Sequence, residues 1–218
     1  MKTVSTSSRV GGFFLLVAGI SMPIIIIDYI VTMSGLAGAD GPPTLSERAD
    51  FVASVFDHLQ IGWHAEVVAM ALLGAGALSL INRASCSGWA LCAMGCVVTM
   101  PMYALMVGGY GAVLSQADPN LELFEALLGT TGFSFHIGQG LTHLGLGIAF
   151  FIESLAKAPI MPRWFFLLAA AANTFTGVVF SLIHTGTLDN FMVAGPFGLL
   201  SYLVIVIFGL RLLTLKPS

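Results

Sequence analysis

Six stretches of this chain, each about 20 residues or longer and nearly free of charge, dictate what it can fold into. They run approximately from Val10 to Met33, Ile61 to Ile81, Gly88 to Val113, Thr130 to Ile152, Trp164 to Thr185 and Phe191 to Thr214. Twenty or so apolar residues are what a helix needs to cross a hydrocarbon core of roughly 30 Å. Each run is continuous and lacks the period-2 alternation of a barrel wall, so the spans read as helices. Charged residues make up 9% of the chain, against roughly 25% in soluble domains. A net charge of −3 leaves no basic face for nucleic acid, and three cysteines do not make a disulfide scaffold. The predicted fold class is therefore all-α: a polytopic membrane protein, residues 1–218 forming one domain of six transmembrane helices.

The bases are segregated. Lys2, Arg9, Arg83, Lys157, Arg163, Arg211 and Lys216 all fall on one side of a six-span layout. Asp40, Glu47, Asp50, Asp57, Asp118, Glu122, Glu125 and Asp189 fall on the other, where Arg48 is the only base. Basic loops stay in the cytoplasm, so the N- and C-termini are predicted cytoplasmic and the protein multi-pass in the inner (plasma) membrane. Ala37-Gly38-Ala39 imitates a leader cleavage site, but the apolar run before it exceeds the usual length, and it reads as a span. Cys86, Cys92 and Cys96 sit at the cytoplasmic end of the third span, where they read as reduced packing residues rather than a disulfide.

Two helices are predicted to begin outside the membrane. Thr44-Leu45-Ser46-Glu47 has capping-box spacing. Asp118-Pro119 reads as an N-cap followed by proline at the first helical position. These place outer helical extensions at about 45–60 and 119–129, with a bend at Gly62 as an alternative for the first. Pro23, Pro101 and Pro196 are predicted to kink their spans. Gly129, Gly132, Gly138, Gly140, Gly145 and Gly147 make the fourth span slim enough for close helix approach or for a ligand. Asn173, Thr174 and Thr176 read as inter-helix hydrogen-bonding groups, and Tyr103 and Tyr202 as packing residues with bonded hydroxyls.

Ionisable groups at membrane depth are costly and usually face a bundle interior. Here they are Asp28, His58, His64, Glu66, His136 and His184, mostly at the outer ends of spans, with Asp57 and Asp189 at the margin and His143 deeper. At 100° per residue, Asp57, Gln60 and His64 share one face of the second span, and His136, Gln139 and His143 one face of the fourth. Glu66 points nearly opposite to Asp57.

Three readings of this set stay open. In the first, His64, His136 and His184 with Glu66 or Asp28 converge on a transition metal ion. In the second, haem b lies between His64 and His136 or His184, its propionates near Arg48, Trp63 and Asn190. In the third, the groups form a hydrogen-bonded seam that is either structural or a path for protons or a small solute. The expectation carried forward is an outer polar pocket, bounded by His64, His136, His184, Glu66 and Asp28, that binds a metal ion or a small polar ligand. Held by a metal, it would serve chemistry on a lipophilic substrate from the bilayer. The alternatives are a proton-coupled small-solute transporter, a haem b electron-transfer protein, and a structural or accessory subunit, as a homo-oligomer or in a larger membrane complex. No phosphate loop, no nucleophile elbow and no intramembrane Lys or Arg argue for other activities.

Three boundary motifs carry a resemblance: Arg9-Val10-Gly11-Gly12 entering the first span, Ile81-Asn82-Arg83 leaving the second, and Met161-Pro162-Arg163-Trp164 entering the fifth. In outline the chain resembles small six-span bacterial membrane proteins grouped as domains of unknown function. That resemblance implies fold and topology and carries no chemistry, and the histidines are not part of it.

Overall fold

The computed structural model describes residues 3–36, 43–184 and 194–217. Helix α1 spans Thr6–Met33, the short α2 Leu45–Ser54, and α3 Phe56–Leu78. Helix α4 (Cys86–Ala104) passes through a π-helical turn, Leu105–Tyr110, into the single turn α5, Gly111–Leu114. Helices α6 (Leu121–Ser154), α7 (Arg163–His184) and α8 (Ala194–Thr214) complete the chain.

Six of the helical stretches found among the described residues are long and apolar enough to cross a membrane: 6–36, 56–78, 86–114, 121–154, 163–182 and 197–214. They form a closed ring in chain order, each packing on the next, and α8 returns to α1. Thr3–Val4 pairs in parallel with Lys216–Pro217, so both ends of the chain lie at one end of the ring. Arg9, Arg83 and Arg211 lie at that end too: Arg9 Nη2 donates to Leu213 O and Arg211 Nε to Ile160 O. Apolar side chains clothe the outside as well as the inside; Ile61 is 71% exposed and Val97 66%. A helix apolar all round is what a bilayer requires and water forbids.

The outer extensions differ in kind. Helix α6 is continuous over its full length, as the sequence suggests. The extension at 45–60 is broken, not at Gly62 but at Val55 (φ −114°, ψ 13°), where α2 ends and α3 begins. The expected capping box is present: Thr44 N–H donates to Glu47 Oε2 (2.7 Å), and Glu47 N–H to Thr44 Oγ1 (3.3 Å). The start of α6 corrects the expectation. Asn120, not Asp118, is the N-cap, its Oδ1 accepting from Leu123 N–H at 3.0 Å, and Pro119 stays outside the helix. Asn caps as well as Asp, and this register puts Glu122 in the first turn, where the helix dipole favours an acid.

The capping box has a pH signature. The Thr44 backbone N–H, and then its hydroxyl, hold the Glu47 carboxyl below its ordinary 4.5. A depressed carboxyl stabilises the fold above its unfolded value, and the contribution disappears as pH falls through the lower folded value. Exchange of the α2 amides, measured relative to the intrinsic rate at the same pH, is therefore expected to be slow at neutral pH and to quicken below about pH 4.5. In Thr44→Ala it should be fast at every pH; equal exchange in both proteins would refute the capping role.

Glycines set the spacing around α6. A Cβ at Gly95 would meet the Thr142 backbone nitrogen, at Gly88 the Ala149 nitrogen, and at Gly145 the Cys92 nitrogen, so α4 and α6 touch backbone to backbone. Gly147 meets Thr174 and Gly177 meets Leu144 on the α7 side. Gly129 and Gly132 face open space.

At the basic end, Arg83 binds Glu153 with both ends of its fork: Nε to Oε1 and Nη2 to Oε2, each 2.6 Å. Ser85 Oγ also donates to Glu153 Oε1 (2.7 Å) and accepts from Trp89 Nε1 (2.8 Å). The α3–α4 turn is thereby tied to the end of α6.

Candidate functional site

Inside the ring lies a cavity of about 40 Å³ lined by residues of α1, α3, α6, α7 and α8. Its walls are mostly apolar and aromatic (Met22, Phe135, Phe180), and its polar groups are Glu66, Gln139, His143 and Tyr202. A water needs roughly 10–15 Å³ of such space, so the cavity admits a molecule of a few heavy atoms at most. Glu66 is twelve residues from the end of α3, His143 eleven from the end of α6 and Tyr202 twelve from the end of α8. At 1.5 Å per residue, all three stand ~16–18 Å from the basic end, near the middle of a ~30 Å core.

Each polar group is held differently. The Tyr103 hydroxyl on α4 faces the Glu66 carboxyl but completes no hydrogen bond, although its residue is 1% exposed. Tyr202 lines the same cavity from α8, and Tyr29 on α1 lies within electrostatic reach of the carboxyl. The His143 tautomer follows from its neighbours. Asn173 Nδ2 donates to Ala169 O (2.9 Å), which turns Asn173 Oδ1 toward His143 Nδ1 (3.1 Å). Nδ1 must then carry the proton in that bond, and Nε2 of the neutral ring is an acceptor. The imidazole is stacked on Phe180 (6.0 Å, 12°) and edged by Tyr202 (5.7 Å, 73°). Gln139 Nε2 points at Met70 Sδ (3.7 Å), which leaves its carbonyl oxygen as a further acceptor.

The five residues expected to share an outer pocket are placed apart where they are described. His64 is exposed, and its Nδ1–H donates to its own helix at Gln60 O (2.7 Å). Asp28 pairs with His58 (Oδ2 to Nε2, 3.0 Å) near the acidic end, both groups half exposed. His136 is half-buried against Phe135 and Phe180. Glu66 alone enters the central cavity. His184 ends α7, and its side chain lies outside the described residues, as do Asp40, Asp189 and Asn190. Among the described residues no three His, Cys, Asp or Glu side chains come together as a metal site would require. The central cavity is also far smaller than a porphyrin. A wide cleft of about 600 Å³ beside Phe51, Asp57 and His58 opens outward at the acidic end.

Sequence reasoning missed His143, Gln139, Tyr103 and Tyr202 as members of one site. Position offered one signal: all are polar groups near the middle of their spans, where Glu66 also lies. Comparison with protein-family models, with curated proteins and with solved structures finds no match, so the function rests on the site itself.

Proposed function

We propose that this is a multi-pass plasma-membrane protein, its termini in the cytoplasm, whose central cavity binds a small polar ligand together with a proton at Glu66, as in a proton-coupled carrier. The orientation follows from the basic end of the ring, which the positive-inside rule assigns to the cytoplasm. One observation carries the functional reading. The Glu66 carboxyl lies at mid-depth in a cavity, faced by the Tyr103 hydroxyl, with no Lys or Arg among the described residues paired to it. A carboxyl so placed must be offered either a proton or a cationic partner. His143 and the phenols supply donors and acceptors through which a proton can be handed on.

The test is difference infrared spectroscopy of protein reconstituted in liposomes and titrated with pH. A protonated-carboxyl C=O band that titrates, shifts in deuterated buffer and vanishes in Glu66→Gln is the expected result. Spectra of Glu66→Gln indistinguishable from the parent protein would end this reading.

A further inference from the structure

We propose that the ligand of this cavity is a small ammonium-type cation, ammonium or methylammonium, which exchanges with the proton on Glu66. The proposal rests on the reading of Glu66 as a proton site and adds the class of ligand.

Charge is the first argument. Among the described residues, Glu66 is the only acid lining the cavity, and no Lys or Arg lines it. The groups in electrostatic reach of Glu66 are Tyr29 on α1, Tyr103 on α4 and Tyr202 on α8; His143 lines the same cavity from α6. None of these supplies a permanent positive charge at the cavity, so an anion would meet repulsion and no partner.

Donor and acceptor balance is the second. With Nδ1 committed to Asn173, His143 offers an acceptor, and Gln139 offers its carbonyl oxygen. A carboxylate and two further acceptors suit a ligand that is itself rich in N–H donors. Phe135, Phe180 and Tyr202 line the same cavity, and an aromatic ring attracts an ammonium group placed over its face. Ammonium has the bulk of a water molecule, and methylammonium adds one methyl group for the apolar wall, so both suit the cavity volume.

Supply is the third. At the acidic end Glu47, Asp50, Asp57, Asp118, Glu122 and Glu125 are exposed, against Arg48 as the one exposed Lys or Arg there among the described residues. Such a field raises the local concentration of cations and depletes anions. Exchange then balances simply: the carboxyl carries one proton or one cation, so each cation that arrives releases one proton.

The experiment uses the full chain purified in detergent, with methylammonium chloride as probe and equal concentrations of sodium chloride and tetraethylammonium chloride as controls. Methylammonium should raise the melting temperature above either control and release protons into weakly buffered solution. Its apparent affinity should fall about tenfold per pH unit on the acid side of the Glu66 titration. Glu66→Gln should weaken binding by about tenfold or more, and Tyr202→Phe, which preserves the packing, should bind measurably more weakly. An equal shift with sodium, or undiminished binding in Glu66→Gln, overturns the proposal. If Glu66→Gln does not fold, unchanged affinity and no proton release in Tyr202→Phe and Glu66→Asp overturn it instead. An infrared band that titrates but ignores methylammonium would sink the cation assignment and leave the proton site standing. No titrating band would sink both.

Discussion

Arg83→Ala is expected to destabilise the folded protein by about 3–5 kcal/mol, because it strands the Glu153 carboxylate in a place water hardly reaches. Glu153 is 5% exposed, while the Arg83 side chain is 20% exposed. The better-solvated partner is thus the one removed, and the worse-solvated charge is left behind. Ser85 still donates to Glu153, which offsets only part of the loss. The pair itself contributes far less than that figure, since much of its attraction repays the cost of desolvating both ions. Arg83→Met with Glu153→Met should therefore fold more stably than Arg83→Ala alone. Unfolding in mixed detergent micelles with a double-mutant cycle checks this; a double variant less stable than both single variants would contradict it.

Gly95→Val and Gly145→Val are expected to cost about 3 kcal/mol each, or to prevent folding, because the obstacles are backbone atoms. At Gly95 the first atom of a side chain would strike the Thr142 nitrogen and lie 2.6 Å from Gly138 O. At Gly145 it would strike the Cys92 nitrogen and lie 2.8 Å from Gly88 O. A side-chain neighbour can rotate aside, but here two helices would have to separate. Gly132→Ala is the control: nothing lies within 4 Å, and Ala is the better helix former by about 1 kcal/mol. Melting of the three variants in one detergent compares them directly, and equal loss at Gly132 and Gly95 would show that contact with the neighbouring helix is not what sets the cost.

The parts of the architecture that depend on composition and local chemistry were readable in advance. Six apolar helices follow from run length, and the Thr44–Glu47 cap from a four-residue pattern. The segregation of Arg9, Arg83 and Arg211 from the acids matches the two ends of the ring. What could not be read is which face of each helix looks inward. A rotation of 100° per residue correctly sets Glu66 apart from Asp57. It also groups His136 with Gln139 and His143, yet only the latter two line the cavity. The direction of α6 is decided by Gly138 and Gly145 against α4 and by Gly140 and Gly147 against α7, and those contacts exist only once the neighbours are present. His64 illustrates the same limit, since its own helix supplies a carbonyl for the ring. Glu153 was overlooked for another reason: a lone acid among basic loops carries no periodic signal, and its meaning appears only beside Arg83.

The meeting of α8 with α1, where Gly12 and Gly209 let the first and last spans touch, bears on biogenesis. Spans enter a bilayer in chain order, so the wall that holds Tyr202 arrives last. Until then Glu66 and Tyr103 belong to an open trough bordered by acyl chains. The chamber closes only when α8 docks on α1, so that contact and the enclosure of the cavity are one step.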